Sequence, residues 1–177
     1  MKKIAFLIWG LAFGLISYGQ NRISLSDSAT VDLPAGMQKI NHEDALSFAG
    51  KQFNNEPIIM RAVARRKMES IFRAKNVLVS LHTEKVSVTE GHLVQLKKGF
   101  DEWHKRDSTY SANLEKINGN DVLVISYING NVANFSFFLY NVKYTRGVSG
   151  VLEFNKTDKN DATLILNHIL QTVSLKD

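Results

Sequence analysis

Five histidines, His42, His82, His92, His104 and His168, are the side chains best suited to acid–base or metal chemistry near neutral pH. None belongs to an H-E-x-x-H, H-x-H or H-x-x-x-H pair. His82, His92 and His104 lie on three different parts of the chain and converge only if folding brings them together. A zinc site needs three or four ligands held at once, and this spacing does not supply them. Gly147-Val148-Ser149-Gly150 lacks the G-x-S-x-G spacing of a nucleophile elbow. It also stands between two expected strands, where an elbow joins a strand to a helix, so it reads as a turn. The glycines at 119 and 130 follow hairpin signals and do not open a helix, so no phosphate-cradling loop is present. Glu43/Asp44 and Asp101/Glu102 are adjacent on expected helices, and adjacent helical side chains point apart. The residues assign no catalytic group, no cofactor and no metal, and the expectation is a non-enzymatic protein.

One concentration of charge remains: Arg61, Arg65, Arg66, Lys67, Arg73 and Lys75. On a continuous helix Arg61, Arg65 and Arg73 share a face. Arg61, Arg65, Arg66 and Arg73 are therefore the candidate patch for an acidic partner, expected to be a protein of the cell envelope. A plain solvated helix face is the competing reading. No aromatic residues interleave with these cations to stack bases, so nucleic acid is not an expected partner.

The elements that position these residues are organised around Tyr110–Phe154. Asn118-Gly119 and Asn129-Gly130 lie between apolar runs, and Asn-Gly is the strongest short hairpin signal because both central residues of a type I′ turn need positive φ. The flanking strands are Thr109–Ile117, Asp121–Ile128 and Val132–Asn141, followed by Val151–Phe154 after a looser connection through Gly147 and Gly150. Leu123, Ile125 and Tyr127 line one face of the second strand. Val122, Val124 and Ile128 line the other. A strand apolar on both faces belongs inside a sheet that is covered on both sides. Ala133, Phe135, Phe137 and Leu139 give the third strand a continuous apolar face.

Upstream, Arg22–Ser26 and Thr30–Leu33 read as short strands, with Pro34-Ala35-Gly36 as a turn. Asn41 caps a first helix carrying Ala45, Leu46, Ala49 and Phe53 and ending near Asn54-Asn55. Pro57 suits the first turn of a second helix. Met60, Ala64, Met68, Ile71 and Phe72 keep helical spacing through the basic run. Asn76–His82 reads as a strand. Ser87 and Glu90 form a capping box opening a third helix, whose Leu93, Leu96, Phe100 and Trp103 make one buried stripe. Gly99 would let that helix lie close to the sheet. Asp158 or Asn160 caps the last helix, with Ala162, Ile165, Leu166, Ile169, Leu170 and Val173 inward.

The chain has 177 residues, 44% of them hydrophobic, two prolines and no cysteine, which suits one domain with its own core. Met1-Lys2-Lys3, the apolar run Ile4–Ile16 and Ser17-Tyr18-Gly19 read as a signal peptide over 1–19, cleaved before Gln20. The run is shorter than the roughly 20 residues of a spanning helix, so no span is expected after cleavage. Without cysteine there is no disulfide, thiolate site or lipid-bearing thiol. The net charge of +5 falls to +3 once Lys2 and Lys3 are removed, too little to demand a polyanionic partner.

The order is two strands, two helices, a strand, a helix, a four-strand meander and a helix. Residues 20–177 are thus expected to form one α+β domain, an α/β/α sandwich whose mainly antiparallel sheet carries helices on both faces. A chain that opens with Ile23-Ser24-Leu25-Ser26 and Val31-Asp32-Leu33-Pro34-Ala35-Gly36, passes through such a meander and closes on Gln171-Thr172-Val173-Ser174-Leu175 resembles the PsbP-like fold family. That group includes the extrinsic photosystem II subunit, a Ran-binding nuclear import factor and DcrB-like periplasmic lipoproteins; this chain departs from the last in having no cysteine. The resemblance implies a domain that binds other macromolecules, exported to the periplasm or beyond. The alternative is a carrier that holds a small apolar ligand between a helix and the Phe135/Phe137/Leu139 face.

Overall fold

A computed structural model describes residues 21–66 and 69–176. The expected leader over 1–19, and Lys67 and Met68 of the basic run, lie outside them.

Seven antiparallel strands form the main sheet. In spatial order they are β3 (Gln38–Ile40), β4 (Ser70–Ala74), β5 (Val77–Lys85), β9 (Arg146–Asn155), β8 (Val132–Tyr140), β7 (Asn120–Asn129) and β6 (Ser111–Ile117). A small second sheet pairs β1 (Asn21–Ser26) and β10 (Ser174–Leu175) with β2 (Ala29–Leu33). This is the expected mixed α+β architecture. Helix α4 (Lys159–Thr172) lies on one face of the main sheet, packed with β2 over Phe72, Val79, Phe137, Leu139 and Leu152. The predicted α4 stripe is buried at every position from Ala162 to Val173. The other face carries two separate covers. Helices α1 (His42–Gln52) and α2 (Pro57–Arg65) bury Ile71, Leu78 and Val132, and α3 (His92–Trp103) buries Leu123 and Ile125. Strand β7, apolar on both sides, contributes to both layers.

Local signals explain most boundaries. Asn41 accepts the Asp44 N–H at 2.8 Å and starts α1 as expected. Met37 N–H donates to Pro34 O at 3.1 Å across Gly36, whose φ is +80°, the geometry a type II turn requires. Asn118 and Gly119 both have positive φ, 50° and 82°, so the β6–β7 turn is of the expected type I′.

Six expectations are corrected. Helix α2 stops at Arg65, and Ile71 and Phe72 alternate to opposite faces of strand β4; the buried positions of α2 are Ile59 and Val63. The second hairpin turn is centred on Gly130-Asn131, because Asn129 still pairs with Val132. Gly147–Gly150 lies inside β9, where an added Cβ would collide with the Tyr140 and Phe137 rings, so these glycines permit cross-strand packing and make no turn. Ser87 caps nothing. Val86 and Val88 donate N–H bonds to Thr145 O and Tyr144 O and pack beneath α3, holding the segment extended until Gly91, at φ +88°, turns the chain into the helix. Gly99 faces open space, and Trp103, expected in the core, is 80% exposed. Its inward place is filled by His104, which stacks on Tyr110 at 4.7 Å and leans on Tyr127 at 5.2 Å.

At Gly130, φ is +59°, and a Cβ there would meet the Glu56 carboxylate at 2.8 Å. Gly130→Val is therefore expected to cost more than about 1 kcal/mol. Equilibrium urea unfolding checks this, and a midpoint equal to that of the parent would contradict the turn geometry.

Candidate functional site

The predicted basic patch does not survive folding as a unit. Arg61 and Arg65 are exposed on α2 and make no ion pair among the described residues. Arg66, one residue past the helix, turns inward. Its guanidinium donates to Glu153 Oε2 at 2.8 Å, to Oε1 at 3.0 Å and to Ser80 Oγ at 3.4 Å. Arg73 belongs to β4, not to a helix. It lies over the Phe48 ring at 4.8 Å, with Nε donating to Lys75 O. Lys75 is paired with Asp161 at 2.8 Å.

Glu153 is 1% exposed on central strand β9. Burial pushes its carboxyl up, against the opposing pull of the Arg66 charge, and Glu69 adds to the rise. The bidentate fork occupies both carboxylate oxygens, so the pair ties the end of α2 to the sheet and leaves no free acid for chemistry.

Among the described residues no three histidine or acidic side chains gather as a metal site. His42 Nε2 is bonded to Val63 O at 3.1 Å, His92 packs edge-on against Tyr140, and His82 stands exposed. Ser149 faces His82 across the β5–β9 pairing, but its hydroxyl donates to Glu84 Oε1 at 2.9 Å. A serine bonded to a carboxylate, with no histidine between them, lacks the base that activates a nucleophile. On the opposite face Phe137 and Leu139 are fully buried in the core shared with α4, and only the Phe135 end of that apolar row borders open volume.

The built surface lies elsewhere, on the flank formed by α3 and edge strand β6. Trp103 is 80% exposed, Val94 45% and Leu114 40%. A groove of about 440 Å³ runs between the start of α3 and β6, lined by Leu93, Val94, Leu114, Lys116, Asp121 and Tyr144, with Glu90 and Glu115 at its rim. The other end is rigid. Asp107 accepts from Thr109 N–H at 2.8 Å and from its hydroxyl at 2.6 Å, and Thr109 Oγ1 accepts the Ile128 N–H. Tyr110 donates to Asp101 at 2.8 Å, and Lys97 closes on the same carboxylate at 2.7 Å. These bonds, Lys97 first, hold Asp101 below the usual carboxylate range, while burial and then Asp101 push the Tyr110 phenol up. Phe100 stacks beside Trp103 and against Phe138, so the exposed indole stands on an ordered aromatic base. Helical spacing found α3 but misassigned its outward residue, because the pattern cannot show that the helix end overhangs the sheet.

In the groove floor Tyr144 donates to Asp121, which also pairs with Lys116 at 3.0 Å. The Asp121 bond, then burial, pushes the Tyr144 phenol up to about 12, and the same bond holds Asp121 below its ordinary 3.8. A depressed carboxylate stabilises the fold above its unfolded pKa and loses that contribution as pH falls through the folded value. Tyr144→Phe is therefore expected to cost about 1 kcal/mol at pH 7 and progressively less below about pH 4. Unfolding measured across that range checks it; a cost independent of pH would contradict the assignment.

No protein-family model and no curated protein matches the chain. Among solved structures it is similar to the solution structure of cyanobacterial PsbP (CyanoP) from Synechocystis sp. PCC 6803. The TM-score is 0.52 and the identity 11%, over 87% of this chain and 91% of that one. At that identity the likeness concerns architecture alone. The chain has a PsbP-like fold.

Proposed function

We propose that the protein is a non-enzymatic accessory domain that binds a partner protein through the α3–β6 flank. The carrying observation is the exposed Trp103, with Val94 and Leu114 beside an edge strand whose outer side is unpaired among the described residues. Exposed tryptophan is enriched at the energetic centres of interfaces, and an open edge next to an apolar groove suits an added strand. Glu115 and Lys116 place charges on that edge, which discourages indiscriminate pairing. The leader-like N-terminus supports an exported protein cleaved after Gly19, with its partner in the cell envelope. Among the described residues no helix is long and apolar enough to cross a membrane. Arg61 and Arg65, exposed on α2 and without an ion pair among the described residues, form a secondary docking surface for an acidic partner.

Affinity capture from the host envelope tests this reading. The captured bait should begin at Gln20 by intact mass. Trp103→Ala and Leu114→Lys should each weaken partner capture by about tenfold or more without loss of thermal stability. Charge reversal at Arg61 and Arg65 should have a smaller effect that shrinks as salt rises. Undiminished capture by the Trp103→Ala and Leu114→Lys variants would overturn the assignment of the flank.

A further inference from the structure

A second recess lies on the α4 face, at the end of the row that Phe135 begins. It encloses about 260 Å³ between the first turn of α4 and strands β7 and β8. Its floor is Ile128, Ala133, Phe135 and Phe154, and Lys156 and Lys159 stand at its mouth. The floor is buried and aromatic: Phe135 and Phe154 pack at 4.8 Å between centroids, and Phe135 is 8% and Phe154 1% exposed. Neither ammonium group makes an ion pair among the described residues. The acids of the same turn are committed elsewhere, Asp161 to Lys75 at 2.8 Å and Asp158 to Asn76 Nδ2 at 3.2 Å. Nor does Asp158 cap α4 with its side chain, so the positive end of the helix dipole adds to the lysine charges.

From this apolar cup with an unneutralised cationic mouth we infer that the recess binds a single-chain amphiphile with an anionic head, its carboxylate or phosphate between Lys156 and Lys159 and its tail over Phe135 and Phe154. The volume holds roughly eight or nine methylene-sized groups, so the tail is of medium length. A neutral apolar molecule would leave the two lysines unused, and a small inorganic anion would leave the aromatic floor in water. The apolar floor of the recess is on the α4 face; Thr109 and Tyr127 at its edge also belong to the far end of the α3–β6 flank, but neither Trp103 nor Leu114 lines it.

Decanoate is the probe, titrated into lipid-free protein and followed by the amide signals of Ala133, Phe135 and Phe154. These should shift saturably below about 1 mM. Decanol should bind at least tenfold more weakly. The paired substitutions Lys156→Gln and Lys159→Gln, both on exposed side chains, should weaken decanoate about tenfold while leaving thermal stability unchanged. Ala133→Leu, which fills the floor, should abolish the shifts. Phosphatidylglycerol vesicles should leave the three signals in place, since a two-chain lipid cannot enter. Equal affinity for decanol, undiminished decanoate binding by the lysine variant, or shifts produced by the vesicles alone would each overturn the inference.

Discussion

Glu153 sits in the middle of a seven-stranded sheet, on its central strand and out of reach of water. A carboxylate in that position must be neutralised or paired, because an isolated buried charge costs several kcal/mol or more. The pairing is supplied by Arg66, whose fork meets both oxygens at 2.8 and 3.0 Å while also reaching Ser80. Much of the molecule depends on that bond. It fixes where α2 ends, since Arg66 must leave the helix to turn inward. It also fixes how α1 and α2 sit over β3, β4 and β5, because the pair joins their far end to the sheet's midline. Such a pair adds little net stability compared with well-packed apolar residues. Its contribution here is position.

The consequence for function is an asymmetric surface. The face under α4 is apolar from Phe72 to Phe154 and filled, apart from the recess beside Phe135. On the other face the α1–α2 end has drawn in one of its own cations, Arg66. The α3 end is different: the helix overhangs the sheet, its last inward place is taken by His104, and Trp103 is left in water beside an open edge strand. The α3–β6 flank thus offers aromatic and backbone groups to a partner, and Arg61 and Arg65 stand exposed on α2 without an ion pair among the described residues.

How much of this was legible in the sequence follows from the range of each interaction. The β6–β8 meander and α4 were readable because their signals are local: Asn118-Gly119 demands its turn, and six apolar residues at helical spacing have only one way to be buried together. Strand β4 was not, since Arg65-Arg66-Lys67-Met68 has helical propensity and the strand beyond it is set by pairing with β5, a tertiary term. Ser87–Glu90 had a capping box by composition, but backbone bonds to Tyr144 and Thr145, more than fifty residues away, override it. The site was the least legible part. Arg66 and Glu153 are 87 residues apart, and nothing near either one shows that they meet. The same folding step that joins them removes Arg66 from the patch that its neighbours suggested.

A double-mutant cycle at Arg66 and Glu153 tests this account most directly. Arg66→Met and Glu153→Leu, alone and together, would be compared by equilibrium unfolding at pH 7. Each single change leaves a buried partner uncompensated and should cost about 3–5 kcal/mol. The double variant, apolar on both sides, should be more stable than either single one, with a coupling of at least about 2 kcal/mol. Single costs below about 1 kcal/mol, or costs that simply add, would contradict the claim that this pair sets the position of α2 on the sheet.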